Sequence, residues 1–182
     1  MRRVLGFVAM IGLLCAVSLA AEDTPGRRMF DRLRGLAGDW EGTLEWSQGR
    51  TGGGKLRATY YLTGHGSALV ENLLMNGDTP SMTSVYHLDG ADLRMTHFCA
   101  AWNQPRLKAT HIDETKGSAE FSFVDVTNVS AANSGYVEGV FLQVVDADHV
   151  NLRFNFGGGP GKSGVETIVL KRVHPPAAHP SR

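Results

Sequence analysis

Leu93, Met95, His97 and Cys99 alternate along one short segment, so an extended backbone points all four the same way and brings an imidazole and a thiol onto one face. If that face looks into an interior, His97 and Cys99 offer a hydrogen-bonding, metal-binding or nucleophilic pair. The turn that follows, Asn103-Gln104-Pro105-Arg106, adds chemistry at the same end. The Arg106 guanidinium matches a carboxylate or phosphate, and the Asn103 and Gln104 amides can hydrogen-bond a ligand. Trp46 and Tyr60 are the aromatic candidates for lining such a site. The competing reading is a packed cysteine, a hydrogen-bonded histidine and an amide-rich loop that braces its turn.

None of this names a reaction. Residues two apart on one strand splay, and no nucleophile elbow surrounds any serine. His97-x-Cys99 would need a third ligand from His87 or His111 to hold a metal, and the chain has no His-x-His or Cys-x-x-Cys pair. The stretch Gly157 to Ser163 differs from a phosphate loop at Phe156 and leads into a strand rather than a helix. No catalytic residue, metal or cofactor is therefore assigned.

These residues depend on their elements for position. Met29, Phe30, Leu33 and Leu36 form a helical stripe about two turns long, ended by Gly35 and Gly38. Pro25-Gly26 reads as a breaker before it. From Trp40 the period becomes two: Trp40, Gly42, Leu44 and Trp46 alternate with Glu41, Thr43 and Glu45. Turn residues recur at Gly49 to Gly54, Gly64 to Gly66, Asn76 to Pro80, Asp89-Gly90, Asn103 to Pro105, Lys116-Gly117, Asn128 to Gly135, Asp146 to Asp148 and Gly157 to Ser163. The expected fold is all-β: about ten strands in an antiparallel meander, closed into a barrel, with the short helix capping one end. Closure hides both free edges.

The ends carry their own signals. Arg2 and Arg3 precede the apolar stretch Val4 to Val17, and Ser18-Leu19-Ala20 supplies a cleavage site, so residues 1–20 read as a signal peptide. A bulky Leu14 before Cys15 argues against a lipoprotein. The expected order is then a flexible lead-in at 21–28, one barrel domain at 29–174 and a proline-rich disordered tail at 175–182. The expected location is periplasmic or secreted, with no membrane span in the mature chain. Loss of the leader leaves Cys99 alone, so stability must come from the core. With 18 basic and 18 acidic residues, the chain lacks the basic field of a nucleic-acid binder. Both faces of residues 137–145 are apolar, which leaves a homodimer open.

Gly38-x-Trp40 on the first strand, the helix before it and Lys171-Arg172 on the last strand resemble the calycins, the group of lipocalins and fatty-acid-binding proteins. That resemblance implies a tryptophan closing one barrel end with a basic side chain, here Arg172, across its ring. Tyr86-His87-Leu88-Asp89-Gly90, Thr96-His97-Phe98-Cys99 and Asn103-Gln104-Pro105-Arg106 are similar to a bacterial family of exported, uncharacterised calycin-like proteins. The function this implies is binding of a small hydrophobic or amphipathic molecule. Strand number and the early Gly-x-Trp also resemble haem-binding barrels of the nitrobindin type. That likeness implies one iron-holding histidine near the C-terminus, for which only His174 stands, beside the discordant Pro175 and Pro176. A barrel enzyme using His97 and Cys99 is the third alternative.

Overall fold

The structure, a computed structural model, describes residues 23–130, 135–158 and 163–173. The leader, the tail, His174 and most of the Gly157 to Ser163 loop lie outside these.

The chain forms one helix, α1 (Pro25–Arg34), and ten strands: β1 (Gly38–Ser47), β2 (Gly53–Thr63), β3 (Ala68–Leu74), β4 (Met82–Asp89), β5 (Asp92–Phe98), β6 (Gln104–Asp113), β7 (Ser118–Thr127), β8 (Tyr136–Val144), β9 (His149–Gly157) and β10 (Gly164–Arg172). Each strand pairs antiparallel with the next, and β1 pairs with β10 from Trp40↔Arg172 to Ser47↔Val165, which closes the barrel. Local pairing is what short turns favour, and closure leaves no unpaired edge.

The helix starts earlier than the sequence suggested. Pro25 does not break it but opens it at the first helical position, where a missing N–H costs nothing. Thr24 is the N-cap, its hydroxyl accepting from the Arg27 N–H at 3.2 Å. Gly26 is required because a β-carbon there would lie 2.3 Å from the Ala91 carbonyl oxygen in the β4–β5 turn. Met29, Phe30 and Leu33 then face inward, and α1 lies over one barrel end against β4, β5 and β6.

That end is filled. Leu33, Leu36, Trp40, Leu69, Tyr86, Leu93, Leu142, Leu152 and Leu170 are all fully buried there. Each such side chain contributes roughly 1.5–3 kcal/mol. The opposite end carries the β1–β2, β3–β4, β5–β6, β7–β8 and β9–β10 connections.

One correction concerns β8. The register shifts between Val137 and Gly139, so a bulge turns Val137, Val140 and Leu142 all inward. Outward Phe141 is roofed by the Arg153 guanidinium, 5.2 Å from its ring centre. The two-faced apolar pattern behind a homodimer is thus largely one inward face displaced by a bulge.

Candidate functional site

Inside the barrel, four polar side chains stand in one row across four neighbouring strands. Tyr60 on β2, Glu71 on β3, Ser84 on β4 and His97 on β5 are direct cross-strand partners, and all are buried. The alternation of the strands puts each on the inner face, among Ala58, Leu69, Leu73, Met82 and Met95. Tyr60 donates its hydroxyl to Glu71 Oε2 at 2.9 Å, and Tyr86, two residues past Ser84, donates to the same oxygen at 3.0 Å. The Ser84 hydroxyl lies 3.3 Å from Glu71 Oε1 and 3.0 Å from His97 Nδ1. The row is a continuous hydrogen-bonded chain from β2 to β5.

Burial governs the titration of its members. It pushes the Glu71 carboxyl up to about 7, against the three hydroxyl contacts that favour its ionised form. It lowers the His97 imidazole to about 4, so the ring is neutral at physiological pH. Burial first, then the neighbouring Glu71 charge, raises both tyrosines and keeps them donors.

The row ends on an open valence. His97 Nε2 is buried and has no hydrogen-bond partner among the described residues, and the ring leans on Phe154 with centroids 5.2 Å apart. Beside Phe154, its cross-strand partner Glu166 on β10 is fully buried, and neither carboxylate oxygen has a hydrogen-bond partner among the described residues. Burial raises Glu166 to about 7; the Arg50 charge opposes the shift and Glu71 adds to it. Asn103, in the β5–β6 turn, donates its amide to the Gly135 carbonyl at 2.9 Å but leaves its buried Oδ1 unpartnered. Above these groups, Arg50 lies over Trp46 and Phe156, 4.6 and 4.9 Å from their ring centres.

The sequence candidates divide accordingly. His97 and Tyr60 face inward within the row, Asn103 is buried at the mouth, and Trp46 packs there against Phe156. Arg106 does not reach the interior. Its neighbours Pro105 and Leu107 take the inner face, which sends Arg106 outward into a two-pronged pair with Asp125 at 2.5 and 2.6 Å. Gln104 is likewise on the wall, accepting from Thr127 at 2.8 Å. Cys99 sits beyond the end of β5, half-buried in the turn, with its thiol raised first by burial. No hydrogen bond joins it to His97, and a raised thiol is a poor nucleophile. His87 and His111 lie on the outer side, and the described residues hold no cluster of three metal-ligating groups. Trp102 stands exposed on the rim.

The expected structural trio is in place. Trp40 donates its indole N–H to the Leu36 carbonyl at 2.9 Å, and the Arg172 guanidinium stacks 4.3 Å from the ring centre. Arg172 also donates to the carbonyls of Gly35, Ala37 and Ala147. Gly38 has a positive φ of 135°, and a β-carbon there would press on that guanidinium at 2.9 Å.

Glu71, Ser84, Tyr86 and Glu166 were not singled out from the sequence. Their signal was parity: Glu71 stands between Leu69 and Leu73, and Glu166 precedes Ile168 and Leu170, on the buried face of each strand. A cleft of about 480 Å³ on the barrel wall, lined by Thr43, Lys55, Arg57, Met75 and Lys171, is separate from this row. There Arg57 is engaged by Asp78 and the Gly77 carbonyl.

No family model matches the chain, and no curated protein matches it. Solved structures do share the fold. A protein of unknown function from the DUF3598 family of Nostoc punctiforme is similar at 14% identity and a TM-score of 0.53, over 78% of this chain and 48% of its own. This chain therefore spans about half the length of that neighbour. The Rv2717c protein of M. tuberculosis is similar at 12% identity and a TM-score of 0.55, over 80% of this chain and 98% of its own. These likenesses establish a barrel architecture that this chain has in common with both.

Proposed function

We propose that this protein is an exported, calycin-like barrel that binds a small, largely apolar molecule in the half of the barrel away from α1. The polar end of that molecule rests against His97, Glu166 and Asn103, and Trp46 and Phe156 frame its entry. One observation carries the reading: His97, Glu166 and Asn103 each present a buried polar atom with no hydrogen-bond partner among the described residues. Leaving such an atom unsatisfied costs roughly 1–3 kcal/mol, and a chain with an apolar core has no folding reason to do so repeatedly. A ligand that pairs them recovers that cost. Arginine residues 2 and 3, the apolar stretch after them and the Ala20 cleavage site support export.

The test is titration of the chain from Ala21 onward with fluorescent alkyl alcohols, amines and carboxylates, followed by Trp46 emission. Saturable uptake of at least one class, weakened in His97→Phe, is the expected result. No uptake of any class sinks the reading.

A further inference from the structure

We propose that the row Tyr60–Glu71–Ser84–His97 is a reversible hydrogen-bond wire, through which the proton on Glu71 decides whether His97 Nε2 meets a ligand as an acceptor or as a donor. This deepens the binding reading above and rests on it for the ligand, but not for the wire itself.

The argument is one of donor and acceptor counting. Tyr60 and Tyr86 both donate to Glu71 Oε2, so the remaining oxygen, Oε1, is the one that deals with Ser84. A serine hydroxyl has one proton. When Glu71 is ionised, Ser84 must spend that proton on Oε1, and its oxygen then accepts from His97 Nδ1–H. The neutral imidazole has one N–H, so Nε2 is left as a bare lone pair facing the interior. When Glu71 is protonated on Oε1, it donates to Ser84. The change takes up one proton: it enters at Nε2, the Nδ1 proton passes to Ser84 Oγ and the Ser84 proton passes to Glu71 Oε1, so that Ser84 then donates to Nδ1 and the ring proton resides on Nε2. The imidazole carries no charge in either state; only its tautomer changes.

The surroundings suit such a device. His97 faces Ser84 from β4 and the apolar Phe154 from β9, and burial, rather than a neighbouring charge, is what lowers its ring. Glu71 faces Tyr60 from β2 and Ser84 and Tyr86 from β4, and its charge raises the Glu166 carboxyl on β10. Burial holds the Glu71 carboxyl near 7 and the His97 ring near 4, so Glu71 changes state while the imidazole stays neutral. The ligand class follows. With Glu71 ionised, Nε2 takes a head group that donates, such as an alcohol or an amide N–H. With Glu71 protonated, it takes one that accepts, such as an ether or a carbonyl.

The first experiment needs no ligand. Ring ¹⁵N shifts of His97 should move from a bare Nε2 at about pH 8.5 to a protonated Nε2 at about pH 5.5, with Nδ1 moving the opposite way. Glu71→Gln, whose amide donates to Ser84 at every pH, should keep Nε2 protonated throughout. Glu166→Gln, which removes the other interior carboxyl, should retain the switch. A wild-type His97 tautomer that does not change with pH overturns the proposal, as does a ring that becomes doubly protonated in this window. The second experiment compares an alkyl alcohol with its methyl ether, carrying the same fluorophore. The alcohol-to-ether affinity ratio should fall about fivefold from the higher to the lower pH, the worth of one hydrogen bond. A constant ratio with good binding overturns the ligand half of the proposal. Failure of both probes to bind, beside a clear tautomer switch, overturns the binding reading and leaves the wire standing.

Discussion

Burial makes a carboxyl keep its proton above the usual range, and it pushes both Glu71 and Glu166 up to about 7. The consequence for stability has a definite sign. Between the ordinary value of 4.5 and about 7, the folded state holds more protons than the unfolded one, so stability is full below 4.5 and falls as pH rises through 7. His97 acts oppositely: its ring is depressed from 6.5 to about 4, so its contribution is lost as pH falls through that interval. Glu166→Gln removes one of the two carboxyl penalties. It should raise urea-measured stability at about pH 8 by on the order of 2 kcal/mol and change it little at about pH 5. A gain of equal size at both values would show that Glu166 is not held protonated by burial. The buried carboxyls are legible in the parity of their strands, each in line with buried aliphatic side chains. Arg106 misled for a related reason: its chemistry was right for a ligand, but its own strand position faces the solvent.

At the scale of elements, α1 is held by its buried face of Met29, Phe30 and Leu33 and by a clasp on its exit. Arg172, on the last strand, donates to the carbonyls of Gly35 and Ala37 at the end of the helix and to Ala147 in the β8–β9 turn. The guanidinium covers Trp40 as it does so. Of these carbonyls, that of Gly35 is the one the helix end leaves open, since the Arg32, Leu33 and Arg34 carbonyls accept from the backbone N–H groups of Gly35, Leu36 and Ala37. Arg172→Met should cost about 2–3 kcal/mol in urea denaturation followed by tryptophan emission, with Trp40 shifting to the red. Arg172→Lys should recover less than half, because one ammonium cannot span carbonyls on both sides of the ring. Full recovery by lysine would mean that charge alone matters there. The start of the helix is not legible in the sequence, because Pro25-Gly26 suits a breaker and a first helical turn alike. Only the Thr24 cap and the close approach of Ala91 show that both residues belong to the first turn.

For the molecule as a whole, the decisive feature is the seam between β1 and β10, the pair farthest apart in sequence. Gly42 sits on it, and a β-carbon there would fall 1.9 Å from the Val169 carbonyl oxygen. Gly42→Ala should therefore part the seam while the local hairpins persist. Amide exchange protection in β1 and β10 should drop, with β4 and β5 affected less. Gly54→Ala, where a β-carbon meets nothing within 4 Å, is the matched control. Equal loss across all strands would instead point to a barrel that opens only by global unfolding.

Strand number, order and inner face were legible in the sequence, because period-two alternation and short turns are local properties that survive without tertiary context. The meeting of Trp40 with Arg172 was implied only by the resemblance of Gly38-x-Trp40 on the first strand and Lys171-Arg172 on the last to the calycins. The bulge in β8, which turns Val137 and Val140 to the same side, was not legible, since it depends on how β8 registers against β9. The polar row was not either. Tyr60, Glu71, Ser84 and His97 are separated by whole turns in the chain, and only the pairing of four strands sets them side by side. Where a strand runs unbroken, sequence determines which face each side chain takes; cross-strand register decides where a bulge breaks that rule and which side chains meet, and chemistry in this barrel is a property of the meeting.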